Sequence, residues 1–163
     1  GFTCEVGLHE MDGPSDTDLK TRIFSELGVL DNVKFIKLQD FYHFINDRIK
    51  ITIPHNPAEA QKLLGEAFPE EKQGIEAYYS RVLYPKKKIP GFELQGEMSL
   101  GEFLDAIIRN EDLKLILLGN LGYFSDDPYS LSLTYYCAAQ ARYFNNGSSY
   151  IMVGSQTLSD HLA

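Results

Sequence analysis

The sequence predicts an α+β fold, an antiparallel or mixed β-sheet covered by several α-helices, on three observations. Residues 33–54 are dense in β-branched and aromatic types at period two, with Asn46-Asp47 where a hairpin turn would sit. Residues 56–84 and 99–108 instead repeat apolar side chains at three and four behind helix-start signals. The 163 residues suit one domain spanning 1–163, and a chain of this size buries roughly 70% of its unfolded surface.

Each element has its own reason. Phe2-Thr3-Cys4-Glu5-Val6 alternates like a strand and breaks at Gly7, entering a loop through Gly13-Pro14. Ser15 with Asp18 is a capping-box variant, and Leu19, Ile23 and Leu27 then form one apolar face of a short amphipathic helix ending at Gly28. Val33–Leu38, Phe41–Ile45 and Arg48–Ile53 read as strands of one antiparallel sheet, with Ile49, Ile51 and Ile53 sharing a face. Asn56-Pro57 is a cap followed by proline at the first helical position. Ile75, Tyr78, Tyr79, Val82 and Leu83 mark a second helix after Pro69. Ser99-Leu100-Gly101-Glu102 is a full capping box, and the nearly continuous apolar run Leu113–Leu118 predicts burial on most sides. Gly119–Pro128 is a loop and Pro128–Phe144 a helix with small residues at Ala138, Ala139 and Ala141. A turn, a short strand and a Gly154-Ser155 helix start close the chain. That last helix carries Leu158 and Leu162 on one face but no terminating Gly, Asn or Pro, and the chain opens on Gly1 rather than Met, so the sequence reads as a piece of a longer parent.

Composition narrows the function classes. A formal charge of −8 repels phosphate backbones, and no basic stripe offsets it, so no nucleic-acid partner is expected. No apolar run approaches the ~20 residues of a membrane span; the expected location is cytoplasmic. Lys86-Lys87-Lys88 beside Ile89 and Phe92 reads first as a solvated helix end, with peripheral contact to an anionic membrane as the alternative. Cys4 and Cys137 are unpaired in pattern and read as reduced thiols, and His9, His43, His55 and His161 lack zinc spacing, so no metal is expected.

Nucleotide-binding glycine motifs and the serine-hydrolase G-x-S-x-G are absent from the sequence. No nucleophile, base and orienter can be assembled from its motifs. His9 sits in a loop just past the first strand, where it either bonds backbone or moves a proton near neutral pH. Tyr42, Phe44, Tyr123, Phe124, Tyr135 and Tyr136 are either plain core or the lining of an apolar pocket.

Two distant segments carry a family resemblance. Phe2–Gly13, with Gly7, His9 and Gly13 in an F-x-x-x-x-G-x-H-x-x-x-G pattern, resembles flavoproteins related to phytoene desaturase, carotenoid isomerase and retinol saturase, within the amine-oxidase-like superfamily. The stretch from Tyr143-Phe144 through Gly154-Ser155 and Leu158 is similar to their Tyr-Phe, glycine turn, strand and Gly-Gly-Ser-x-x-Leu helix, and Gly119–Pro128 to a loop before it. Val153-Gly154 stands where the family has Gly-Gly. The resemblance implies the inserted substrate-binding domain of an FAD-dependent oxidoreductase acting on a lipophilic polyene or similar apolar substrate. It also implies FAD held mainly by the flavin domain of the same parent chain, with Gly7, His9, Gly154 and Ser155 towards the cofactor. The alternative is a non-enzymatic α+β ligand-binding or interaction module.

Overall fold

The computed structural model describes residues 10–16, 18–84 and 97–163. The chain is α+β, and among the described residues helices outnumber strands and the strands form two small antiparallel sheets. The predicted Phe2–Val6 strand lies outside the described residues, as do Cys4, Gly7, His9 and Lys86–Lys88.

The first sheet has the order β1-β5-β2, built from β1 (Met11–Asp12), β5 (Ser148–Ile151) and β2 (Phe35–Lys37). Both neighbours run antiparallel to β5, with Met11 opposite Ser149 and Phe35 opposite Ile151. The second sheet is a hairpin of β3 (Asp40–Ile45) and β4 (Lys50–Pro54). At its turn the Asn46 side chain accepts from the Arg48 and Ile49 amides. The three strands expected in one sheet are thus divided between two. Leu38 donates its amide to the Ser148 carbonyl, so β2 follows β5 before the chain turns into β3.

Helices α1 (Leu19–Glu26), α2 (Val29–Asn32) and α8 (Gln156–Leu162) accompany the first sheet. Helices α3 (Pro57–Ala67), α4 (Lys72–Leu83), α5 (Leu100–Ile107), α6 (Glu111–Leu117) and α7 (Leu133–Asn146) form the main body with the hairpin. Several begin as their caps dictate. Asn56 accepts from the Ala58 and Glu59 amides, and Ser99 and Glu102 complete a reciprocal capping box. Helix α1 is capped by Asp18 rather than Ser15, and its Leu19, Ile23 and Leu27 stripe faces solvent while Phe24 stacks on Phe35. Helix α7 begins at Leu133, later than the expected Pro128. Residues before it are held to the start of α5, the Pro128 and Leu131 carbonyls accepting from the Gly101 and Leu100 amides.

The main core gathers Leu64, Ile75, Leu100, Phe103, Leu104 and Leu113, with Ile53 from the hairpin. Ile49 and Ile51 pack against it on the predicted face of β4. A second, smaller core of Met11, Val29, Val33 and Ile151 lies under the first sheet. Glu71, itself buried, ties the connection between α5 and α6 to the start of α4 by accepting from the Arg109 and Asn110 amides.

Candidate functional site

The sheet pairing joins residues more than a hundred positions apart in the chain. Asp12 lies opposite Ser148, and the Gly13 amide donates to the Gly147 carbonyl at 2.9 Å. This brings the end of the Phe2–Gly13 stretch against the strand that leads to Gly154-Ser155. Beyond β5 the backbone turns sharply, with φ of 72° at Val153 and 100° at Gly154. Glycine suits that region of backbone space, whereas a β-branched residue is strained in it. Ser155 sits in right-handed helical conformation at the start of α8, not in the extended conformation usual for a cap. Of the four residues assigned towards a cofactor, Gly154 and Ser155 therefore share this turn, and Gly7 and His9 lie outside the described residues.

A charged cluster fixes the same junction to α7. Arg142 donates to Asp12 at 3.0 Å and to the buried Asp18 at 3.1 Å, while Lys20 reaches Asp12 at 2.9 Å and Asp18 at 3.3 Å. Partial burial pushes the Asp12 carboxyl up, but the hydrogen bonds and charges of Lys20 and Arg142 outweigh it and hold the carboxyl below its ordinary value. Asn146 donates to Asp12 and accepts from the Ser15 hydroxyl. Nearby, His55 Nε2 lies 2.9 Å from the hydroxyl of buried Ser148, and the imidazole packs on Phe41. Burial first, then the Lys37 charge, lowers the His55 pKa, against an opposing contribution from Asp40.

Aromatic rings run from this junction into the body. Phe41 contacts Tyr42, Tyr143 and Phe144, and Phe124 meets Tyr136 edge-on at 5.6 Å. Tyr143 also lies 6.5 Å from the rings of both Tyr123 and Phe124. Tyr42, Tyr123, Phe124 and Tyr136 thus belong to one ring system, and Phe44 packs against the same core from β3. Tyr135 does not join them: it lies on the outer face of α7, 58% exposed. Tyr136, next along the helix, is fully buried.

The hydroxyls in this system have structural partners. Tyr42 donates to the Ile116 carbonyl at 2.7 Å, and Tyr78 and Tyr136 share a 2.7 Å hydrogen bond and both reach the Leu117 carbonyl. These carbonyls lie at the C-terminal end of α6, where a helix runs out of its own amide donors. A Cβ at Gly119 would sit 2.5 Å from the Tyr42 ring, so this approach needs a glycine. Burial raises the phenol pKa of Tyr42, Tyr78 and Tyr136. At the outer end, Tyr123 hydrogen-bonds Glu10, and Tyr143 is pushed up to about 12 by burial and then by Glu10 and Asp12.

Tyr143, Asn120 and Gln140 share this region and are not among the site residues the sequence predicts. Tyr136, Gln140 and Tyr143 recur at four and three along α7, and that spacing was the signal available for two of them. Cys137 is a buried thiol whose pKa burial pushes up to about 12, which makes it a poor nucleophile. Among the described residues no group of three or more His, Cys, Asp or Glu could hold a metal ion, and no helix is long and apolar enough to cross a membrane. No family model matches the chain, nor does any curated protein or solved structure.

Proposed function

We propose that this chain is the substrate-binding part of an FAD-dependent oxidoreductase of the phytoene desaturase, carotenoid isomerase and retinol saturase kind, acting on a lipophilic polyene or similar apolar compound. One observation carries the reading. The two stretches that bear the family resemblance contain β1 and β5, which are paired neighbours, and the residues between those strands build a helical body around an aromatic ring system. A segment that leaves and returns through adjacent strands is what an inserted substrate domain requires.

The turn at Val153-Gly154 fits the margin of a flavin site rather than its phosphate cradle. The Thr157 and Leu158 amides are already committed to the Gly154 and Ser155 carbonyls, so the cofactor would be held mainly by the flavin domain of the parent. When bound, FAD supplies hydride transfer, and this chain supplies an apolar, water-poor surface and orientation. Aromatic faces suit a conjugated hydrocarbon because they offer large contact area with little rotamer entropy to lose.

The test is purification of the full-length protein and its visible spectrum before and after denaturation. A yellow protein that releases flavin, and whose flavin responds to an added polyene without oxygen, is the expected result. A colourless protein that contains no flavin would overturn the oxidoreductase and leave the ligand-binding module.

A further inference from the structure

Helix α1 carries its aliphatic stripe on the outside. Leu19 is 65% exposed, Ile23 46% and Leu27 55%. A surface helix ordinarily turns such a stripe towards its own core. Here the inward side is taken by Phe24, which stacks on Phe35, and by Lys20, which reaches Asp12 and Asp18. Leu30, also exposed, follows in α2 past the Leu27 end.

Three features select what covers this face. The stripe is symmetric about Ile23, with one leucine a helical turn before it and one a turn after. A twofold axis through Ile23 therefore sets Leu19 against Leu27 of a second copy and Ile23 against itself, with the two helices antiparallel. Arg22 and Glu26, both exposed, border the stripe with opposite signs. The same axis leaves Arg22 two residues, ~3 Å along the helix, from Glu26 of the second copy. These two charges cancel and give an anionic membrane nothing to attract. Over two copies the exposed surface of the stripe, Leu30 and the bordering charges is on the order of 1,000 Å², where specific interfaces begin.

We propose that the outer face of α1 joins two copies of this chain in an antiparallel, twofold dimer. The dimer does not depend on the oxidoreductase reading.

The test is sedimentation velocity of the full-length protein over a range of concentrations. Interfaces at the small end hold weakly, so a reversible monomer–dimer equilibrium in the micromolar range is expected. Ile23→Arg alters a side chain that is half in solvent in the single copy, so the fold survives it. It is expected to raise the dissociation constant roughly a hundredfold, because each copy loses a central contact. Ile23→Cys lies on the axis and is expected to give disulfide-linked dimers under mild oxidation. Ser25→Cys, exposed about 200° round the same helix, is expected to give no more than the unaltered protein. A protein that is monomeric at every concentration overturns the dimer, and a dimer that Ile23→Arg leaves intact overturns it by placing the contact elsewhere. A monomer in which Ile23→Cys resists thiol labelling also overturns it, and assigns the face to the rest of the parent chain.

Discussion

The helical body and the β1-β5-β2 sheet keep their apolar residues in different places. In the body, Leu64, Leu100, Phe103 and Leu113 are wholly enclosed between helices and hairpin. Around the sheet the enclosed set is small, while Leu19, Ile23, Leu27, Met152 and Leu162 face solvent and Val153 is 84% exposed. Burial contributes about 0.8 kcal/mol per methylene group, so the body has a large hydrophobic reserve and the sheet region does not. What the sheet region has instead are polar ties to the body: Asp12 and Asp18 to Arg142, Asn146 to Asp12, and Ser148 to His55. The contrast predicts that the two regions answer differently to substitutions of similar size.

The largest effect belongs to the body. A Cβ at Gly74 would overlap the Ile107 carbonyl oxygen and lie 2.6 Å from Ile108 Cδ1, where α4 passes the end of α5. Backbone cannot yield as a flexible side chain can. Gly74→Ala is therefore expected to lose about 3 kcal/mol, the upper part of the range for overpacked cores, and to move the whole urea transition. A variant with an unchanged midpoint would show that α4 and α5 are not in close contact and that the body is looser than described.

Next in size is the tie through Arg142. Arg142→Met keeps most of the aliphatic length and removes both ion pairs, leaving buried Asp18 with Lys20. The expected loss is about 1.5 kcal/mol, the order of hydrogen bonds to a charged group, because Asp18 keeps the Lys20 amide and ammonium. It should be local. Amide exchange is expected to quicken in β1 and β5 and to stay unchanged in α4 and α5. Uniform quickening would mean that the two regions open as one unit.

The same contrast explains how much of the fold is legible in the sequence. Elements of the body announced themselves because local rules and burial agree there: Asn56-Pro57 and Ser99–Glu102 start helices at those points, and Tyr78, Tyr79 and Val82 turn inward as their spacing requires. Around the sheet, tertiary partners decided. The apolar spacing of α1 promised a buried stripe, but the Asp18 cap and the Phe24–Phe35 stack leave that stripe outside. Likewise β2 resembled its sequence neighbours yet pairs with β5, a strand more than a hundred positions away, which no local pattern encodes. Of the aromatic site, residue type pointed to Tyr42, Phe124 and Tyr136, while the contributions of Asn120 and Gln140 depend on a contact between a loop and α7.

Strain offers a smaller effect of opposite sign. Val153 holds φ at 72° with its side chain in solvent, so nothing apolar is lost by removing it. A left-handed conformation costs a residue bearing a Cβ about 1–2 kcal/mol, and glycine gives back part of that gain in chain entropy. Val153→Gly is expected to stabilise by about 1 kcal/mol, read as slower exchange in β5. A destabilised variant would show that the turn depends on the valine side chain, and would remove strain from the account of this region.

The smallest effect is a pH dependence confined to the sheet region. Burial and Lys37 lower the His55 pKa from 6.5, Asp40 opposing, so the folded chain binds a proton there more weakly than the unfolded chain does. The stabilisation from neutral His55 is thus complete above about 6.5, the unfolded value, and is lost as pH falls through the lower folded value. Exchange in β5 is expected to quicken several-fold between about pH 7.5 and about pH 5.5 beyond its intrinsic dependence, and His55→Gln should abolish that increment. Asp12 contributes in the same direction, but its carboxyl lies below 3.8 in the folded chain, so its loss belongs to stronger acid and does not overlap this window. A pH response in α4 and α5 as large as that in β5 would contradict the division between the two regions, because neither helix contributes a group to the His55 contact.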